Sequence, residues 1–303
     1  LPPDFDHEGI VATFFPIERC FVHSFADPGC AEINKPLVEF WDNWTVNPEN
    51  PFKGPMLVGE YYNVSAYASL AIPATCTMAV DIPYFYRSGA RLMHFMHIGT
   101  GLWGPLSLTN SQFAAMLWYH EIDAGIFAQD YFDSRYCSQA GVIGDAYDTL
   151  ERAMMNAKPM KHYAGMDRHT LRNTIRKPAP FSTAIKSSED LSAASAENSL
   201  FTTRHLRYST RGAESGPSLT ESLDSLGRVE RILDDELLSS SSPDIRKRIA
   251  SDLRRVRYTR NAVAFTYHAV RLRMFEAVND TDCAMLEARA LQDVGETLRR
   301  EIE

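Results

Sequence analysis

Short apolar runs alternate with helical stretches in the first hundred residues, and this alternation restricts the possible folds more than any other feature. Apolar runs over residues 10–17, 56–58 and 90–98 predict three buried strands. Apolar residues at helical spacing predict a helix over residues 34–44, and a second helix separates the last two strands. This alternation is typical of a parallel sheet with helical crossovers, so an α/β fold is expected here.

The second of these helices carries recognisable end signals. Asp81 is a residue type preferred at the N-cap, Pro83 fits the first turn, and Gly89 fits the position just after a helix. These residues predict a helix that begins after Asp81 and ends at Gly89. In this interpretation the Asp81 carboxylate caps the helix and takes no part in chemistry.

The chain changes character near residue 160. Helical patterns begin at Thr109, and residues 177–199 are rich in Ser, Ala and Pro, which favours a connector. Apolar residues spaced by threes and fours predict a long helix over residues 249–274, with a turn at residues 239–243 and Asp244 as a possible cap. An all-α region is therefore expected after the α/β region.

Three βα units are too few for a closed barrel, and so small an open sheet leaves its edges unpaired. We expect residues 1–160 to be the C-terminal half of a (β/α)₈ TIM-like barrel, followed by a connector over 161–200 and an α-helical domain over 201–303. The alternative is that an unrecognised segment completes the sheet. The start at Leu1, without a signal-like segment, leads us to expect a longer chain.

Composition excludes several classes of protein. The formal net charge of −8 argues against a general nucleic-acid binder, and no apolar run approaches the ~20 residues of a membrane span. The five cysteines are irregularly spaced and fit neither a disulfide framework nor a zinc pattern. For Cys20 and Cys30 two alternatives are open: they bridge a short loop, or they are buried thiols. No phosphate-binding loop, dinucleotide fingerprint or nucleophile elbow is present. Neither a metal nor a cofactor is expected.

The carboxyl ends of the predicted strands hold the best candidates for chemistry, because active sites of parallel α/β barrels lie there. Glu60 follows the second strand and precedes two tyrosines; partial burial there raises a carboxyl pKa and suits a general acid or base. An exposed or salt-bridged Glu60 is the structural alternative. Arg19 either pairs with Glu18 or binds an anionic sugar through its planar guanidinium.

Other polar and aromatic residues near these strand ends complete a candidate sugar site. His23 and His97 are candidates for hydrogen bonds to the sugar, although a histidine satisfied within its own loop is the alternative for His23. Tyr61, Tyr62 and Trp103 are candidates for aromatic walls on which a sugar stacks, with a Trp packed under its own loop as the alternative for Trp103.

Several motifs resemble one bacterial family, labelled domain of unknown function 4838. They are ERCFVHSFADPGC at 18–30, VGEYYNVSA at 58–66, MAVDIPYFYRSGARLMHFMH at 78–97, LWYHEIDAGIFAQDYFDSRY at 117–136 and FTTRHLRY at 201–208. The resemblance implies a glycoside-hydrolase-type barrel, related to α-glucuronidases and hexosaminidases, followed by a helical domain. It also implies an extracytoplasmic location, but it assigns no catalytic residue.

Two functions are therefore expected. The first is hydrolysis of a glycosidic bond in an oligosaccharide or polysaccharide, including one that contains uronic acid, with Glu60 as acid or base and no cofactor. The second is a non-catalytic glycan-binding or scaffold module whose helices dock a partner. A metal-dependent hydrolase is a third option, which requires His23 and His97 to converge on a carboxylate. The sugar, the linkage and the oligomeric state are left open.

Overall fold

A computed structural model describes residues 4–17, 19, 20, 23–49, 52–63, 70–97, 103–155, 217, 219–277 and 279–302. The α/β part comprises β1 (Ala12–Phe14), α1 (Ala31–Thr45), β2 (Met56–Asn63), α2 (Thr75–Arg87) and β3 (Ala90–His97). The helices that follow are α3 (Leu106–Trp118), α4 (Ala124–Tyr136), α5 (Ala140–Ala153), α6 (Leu219–Ser239), α7 (Pro243–Ala277) and α8 (Thr281–Ile302). Among the described residues the fold is therefore a small α/β unit joined to a larger helical part.

The three strands form one parallel sheet in the order β1-β2-β3. Thr13 pairs with Leu57, and Leu57 pairs with Leu92, so β2 is the central strand. The predicted strand order and the crossover helices α1 and α2 are confirmed. The strand ends differ from the prediction, because β1 is only three residues long and β2 continues to Asn63. Glu60 and Tyr62 therefore lie within β2 rather than after it.

Helix α2 begins seven residues earlier than predicted, at Thr75, and Asp81 is not its cap. Asp81 lies in the middle of the helix with 1% of its surface exposed. The N-terminus is capped from a distance, because the Glu151 carboxylate accepts hydrogen bonds from the Thr75 hydroxyl and from the Cys76 N–H (3.0 Å). The predicted end is confirmed: Gly89 has a φ of 120°, a conformation that favours glycine after a helix.

Aromatic side chains form the core beside the sheet. Trp41 of α1 is fully buried and contacts the rings of Phe14 and Phe85 at centroid distances of 5.3 Å each. Its indole N–H donates to the Ser88 hydroxyl at 2.7 Å, so the buried polar atom of the ring is satisfied. Burial of such large rings stabilises the contact between α1, α2 and the sheet.

The helices before and after the undescribed segment 156–216 share one hydrophobic core. Tyr136 and Leu150 pack in the same cluster as Leu233 and Val256. Polar contacts join the same parts, since Arg248 of α7 donates to the Arg135 carbonyl at 2.6 Å. Helices α6 and α7 therefore pack directly on α4 and α5. The predicted connector over residues 161–200 and the motif at 201–208 lie outside the described residues.

The predicted long helix and the turn before it are confirmed, but its cap is not the predicted residue. Helix α7 begins at Pro243, which places Asp244 inside the first turn, and the Ile245 N–H instead donates to the Ser242 hydroxyl at 3.4 Å. Within the predicted apolar seam Arg260 is exposed. None of the helices in the described part of the chain combines the length and apolarity that a membrane crossing needs.

Candidate functional site: a buried arginine with two carboxylates

A buried ion network joins the chain after β1 to β2 and α2. The Arg19 Nε lies 3.1 Å from Glu60 Oε1, and Arg19 Nη2 donates to Asp81 Oδ2. All three residues are at most 2% exposed. Arg19 therefore pairs with Glu60 and Asp81, while Glu18, its predicted partner, lies outside the described residues.

Asp81 has further partners that fix its carboxylate. Its Oδ1 accepts the Phe25 N–H at 2.6 Å, and its Oδ2 accepts the Tyr62 hydroxyl at 3.2 Å. The Tyr62 ring also lies against the guanidinium, with Arg19 Cζ 5.5 Å from the ring centroid. The carboxylate thus meets three donors, which is the satisfaction that a buried charge requires.

Burial and mutual charge change the acidity of every group in this network. Loss of solvation raises the pKa of Glu60 to about 7; the Asp81 charge adds to this increase and the Arg19 charge opposes it. Burial also raises the pKa of Asp81, again against the opposing charge of Arg19. Burial alone would lower the pKa of Arg19, but the charges of Asp81 and Glu60 outweigh it and the net change is an increase. Near neutral pH the Glu60 carboxyl is therefore partly protonated.

Strand alternation explains why Glu60 lies inside. Successive strand side chains point to opposite faces, so Val58, Glu60 and Tyr62 share one face of β2, and all three are at most 1% exposed. On the other face Tyr61 is partly exposed and its ring contacts Phe15 at 6.1 Å. Only Glu60 places a carboxyl on the buried face of this strand.

The remaining predicted residues that the structure describes differ in their exposure. Tyr62 is fully buried and does not line a surface, which corrects its expected role as a sugar wall. Trp103 is 45% exposed, and Tyr61 is partly exposed, so both can present an aromatic face. His97 ends β3, and its side chain lies outside the described residues.

His23 lies against two cysteine thiols. Its Nδ1 is 3.5 Å from Cys20 Sγ and 3.4 Å from Cys30 Sγ. Of the two alternatives for Cys20 and Cys30, the structure has the pair of buried thiols and not the bridge. The Arg19 Nη1 donates to the carbonyls of Cys20 (3.2 Å) and His23 (3.4 Å), so the same guanidinium orients this loop. The Arg19 guanidinium is thus buried and bound by groups of the protein, so it is not exposed for contact with a sugar.

Sequence reasoning missed Asp81 and the Cys20–His23–Cys30 group. Asp81 lies in the apolar stripe of α2 that includes Met78 and Ile82, and a carboxylate within such a stripe indicates a buried partner. The cysteines and His23 follow the spacing Cys-x₂-His-x₆-Cys, a local signal that a search restricted to cysteine pairs overlooks.

A second buried carboxyl lies among the helices. The Tyr136 hydroxyl donates to Asp252 Oδ2 and lies 3.3 Å from the Tyr147 hydroxyl. Burial raises the pKa of Asp252 to about 7, against the opposing effect of the Tyr136 hydrogen bond. Asp252 is fully buried in the core between α4, α5 and α7, so it is best understood as part of the helical packing.

The fold and this site together define an α/β protein with a helical part and a buried arginine–dicarboxylate network. Comparison of the sequence with models of known families and with curated proteins finds no match. The family resemblance of the motifs therefore stays a prediction.

Proposed function

We propose that this chain is part of a carbohydrate-active protein that hydrolyses a glycosidic bond, with Glu60 as its acid or base. The observation that carries the proposal is a carboxyl with a pKa of about 7 in the C-terminal half of the central parallel strand. Such a pKa allows one group to give and take a proton near neutral pH. Active-site carboxyls of parallel α/β barrels occupy this end of the strands.

The sheet supports membership of a larger barrel. Its strands are parallel, adjacent in chain order and linked by helices, as consecutive units of a (β/α)₈ barrel are. We propose that β1, β2 and β3 are three such strands. Glycoside hydrolysis by paired carboxyls needs no cofactor, and other strands of the barrel would supply the second working carboxyl.

Arg19 and Asp81 act on Glu60 as positioning residues in this proposal. Arg19 holds Glu60 Oε1 at 3.1 Å, while Tyr61 N–H donates to Glu60 Oε2 at 3.1 Å. Protonated Glu60 gives its proton to the leaving-group oxygen, and the Arg19 charge then stabilises the carboxylate that forms. A uronic acid is no longer favoured as a ligand of Arg19, because Glu60 and Asp81 already occupy its guanidinium.

A second candidate function is glycan binding without catalysis, and the complete burial of Glu60 favours it. In that case the network only stabilises the fold, and the aromatic faces of Tyr61 and Trp103 bind the sugar by stacking. This protein would hold a sugar but leave it intact.

Activity measurements on Glu60→Gln separate the two functions. Aryl glycosides and uronic-acid oligosaccharides serve as substrates, and Glu39→Gln, an exposed glutamate on α1, serves as the matched control. If Glu60 is the acid, kcat falls by about 10²-fold or more in Glu60→Gln with sugar binding kept, and wild-type activity declines as pH rises through about 7. Turnover equal to that of Glu39→Gln would refute the catalytic role.

Sugar binding by Trp103→Ala tests the second candidate. If the aromatic faces bind the sugar, this variant binds about two- to tenfold more weakly to an oligosaccharide that the wild type retains, because a stacked ring contributes about 0.5–1.5 kcal/mol. Trp118, which is 84% exposed, provides the matched control Trp118→Ala. Equal loss of binding in both variants, or in neither, would argue against the glycan-binding role.

A further inference from the structure

We propose that Cys20, His23 and Cys30 bind a zinc ion as three protein ligands and leave a fourth position to a water molecule. The His23 Nδ1 and the two Sγ atoms all lie within 4.8 Å of one another. Thiolate and imidazole are the ligands that zinc prefers, and two cysteines with one histidine form an established type of open site. The proposal is independent of glycoside hydrolysis.

The distances between the ligand atoms fit a zinc ion. With Zn–S of about 2.3 Å and Zn–N of about 2.0 Å, tetrahedral angles place sulfur and nitrogen about 3.5 Å apart. The observed separations of His23 Nδ1 are 3.5 Å from Cys20 Sγ and 3.4 Å from Cys30 Sγ. An ion can therefore enter between the three atoms with little movement of the loop.

The arrangement around a single nitrogen also favours a metal over a plain hydrogen bond. A neutral imidazole offers one acceptor lone pair, yet both thiols approach the same Nδ1 of His23. A zinc ion accounts for both sulfur atoms lying close to one nitrogen, because it binds that lone pair and two thiolates at once. Binding releases the two thiol protons to solvent, and the two thiolate charges balance the charge of the ion.

The backbone around the ligands is held in place before any metal binds. The Cys20 N–H donates to Asn34 Oδ1 at 2.8 Å, and Arg19 binds the carbonyls of Cys20 and His23. Cys30 occupies the N-cap position of α1, where the helix dipole favours a negatively charged ligand. Such outer contacts orient metal ligands and strengthen binding.

Cys20 and Cys30 are more deeply buried than the other cysteines. Cys20 and Cys30 are at most 1% exposed, whereas Cys76 and Cys137 are exposed. His23 is partly exposed, which provides the route by which an ion and its water reach the site. An enclosed pair of thiols with one accessible histidine suits a retained ion.

Metal analysis of the full chain tests the proposal. After purification under reducing conditions, equilibration with a small excess of zinc and removal of the unbound ion, we expect one zinc ion per chain, and cobalt in its place should give thiolate-to-cobalt charge transfer with the visible bands of a tetrahedral site. The double variant Cys20→Ser/Cys30→Ser and the single variant His23→Ala should lose the ion. The double variant Cys76→Ser/Cys137→Ser should keep it.

A measurement on the wild-type chain makes the test independent of how the variants fold. Buried thiols are alkylated only when the chain opens locally, so the alkylation of Cys20 and Cys30 is followed over hours. Zinc should slow the alkylation of both, while Cys76 and Cys137 should react at the same rate with and without zinc. Failure to retain zinc in a stoichiometric amount would overturn the proposal. Equal alkylation of Cys20 and Cys30 with and without the ion, or a disulfide between them in place of bound metal, would do the same.

Discussion

Replacement of Arg19 by methionine is the sharpest test of the buried network. Methionine keeps much of the side-chain volume but removes the charge that faces Glu60 and Asp81. Breaking a buried ion pair by removing one partner costs about 3–5 kcal/mol, because the remaining charge has neither water nor a counter-ion. We expect Arg19→Met to lose about that much free energy of unfolding near pH 7.5.

The pH dependence of this loss follows from protonation of the two carboxyls. In the variant each carboxyl must be neutral in the folded state, although its pKa in the unfolded chain is near the ordinary 4.5 for Glu60 or 3.8 for Asp81. Taking up that proton costs about 1.4 kcal/mol for each pH unit above the unfolded pKa. A change from about pH 7.5 to about pH 5 should therefore recover up to about 3 kcal/mol for each carboxyl that is ionised in the wild type.

Urea unfolding at both pH values, followed by tryptophan fluorescence, measures this effect, since buried Trp41 reports on the core beside the sheet. Arg91→Met is the matched control, because Arg91 is exposed, donates to the carbonyls of Tyr86 and Ala90, and lies over the Tyr86 ring without facing a buried carboxylate in the described contacts. Adding Glu60→Gln and Asp81→Asn to Arg19→Met should restore much of the stability. A loss below about 1 kcal/mol, or a loss equal at the two pH values, would refute the reasoning.

Two further predictions concern stability elsewhere in the chain. Asp252 has a pKa of about 7 when folded and an ordinary pKa of 3.8 when unfolded. Its contribution to the free energy of unfolding is therefore greatest at low pH, and about 4 kcal/mol of that free energy is lost as pH rises from about 4 through 7. Asp252→Asn should remove this part of the slope in urea unfolding, and an unchanged slope would contradict the assignment. At Gly54 a Cβ would overlap the His7 carbonyl oxygen and lie 2.9 Å from the Ile10 carbonyl oxygen, whereas Gly141 has open space. In thermal unfolding Gly54→Ala should therefore lower Tm. Gly141→Ala, within α5, should raise the free energy of unfolding by about 0.5–1 kcal/mol. A Gly54→Ala variant more stable than Gly141→Ala would contradict this prediction.

The sequence was sufficient for the order of the strands but not for their ends. Apolar runs located β2 and β3, but β1 is limited to Ala12–Phe14 within the predicted run 10–17, and β2 continues to Asn63. Glu60 resembles a residue that leaves a strand, yet its pairing with Phe95 and that of Asn63 with His97 continue the ladder. Pairing with a neighbour is long-range information that local polarity does not contain.

The error at Asp81 has the same physical origin. An aspartate two residues before a proline is a strong local signal for a helix start. The true start is satisfied by Glu151, which lies 75 residues beyond Cys76 in the chain, so no local pattern reveals it. The Cys-x₂-His-x₆-Cys group is the opposite case, because its members are close in the chain and their spacing was readable.

The Arg19–Asp81 pair also explains how α2 acquires one position on the sheet. Apolar contacts from Met78 and Phe85 tolerate small rotations of a helix, because such side chains exchange partners at modest cost. A rotation that moved Asp81 away from Arg19 would leave a buried carboxylate without its counter-ion, which costs several kcal/mol. Since Arg19 also binds the carbonyls of Cys20 and His23, the same residue fixes the helix, the carboxyl of Glu60 and the cysteine–histidine loop relative to one another. The geometry of the candidate site and that of the proposed zinc site are therefore set by one guanidinium.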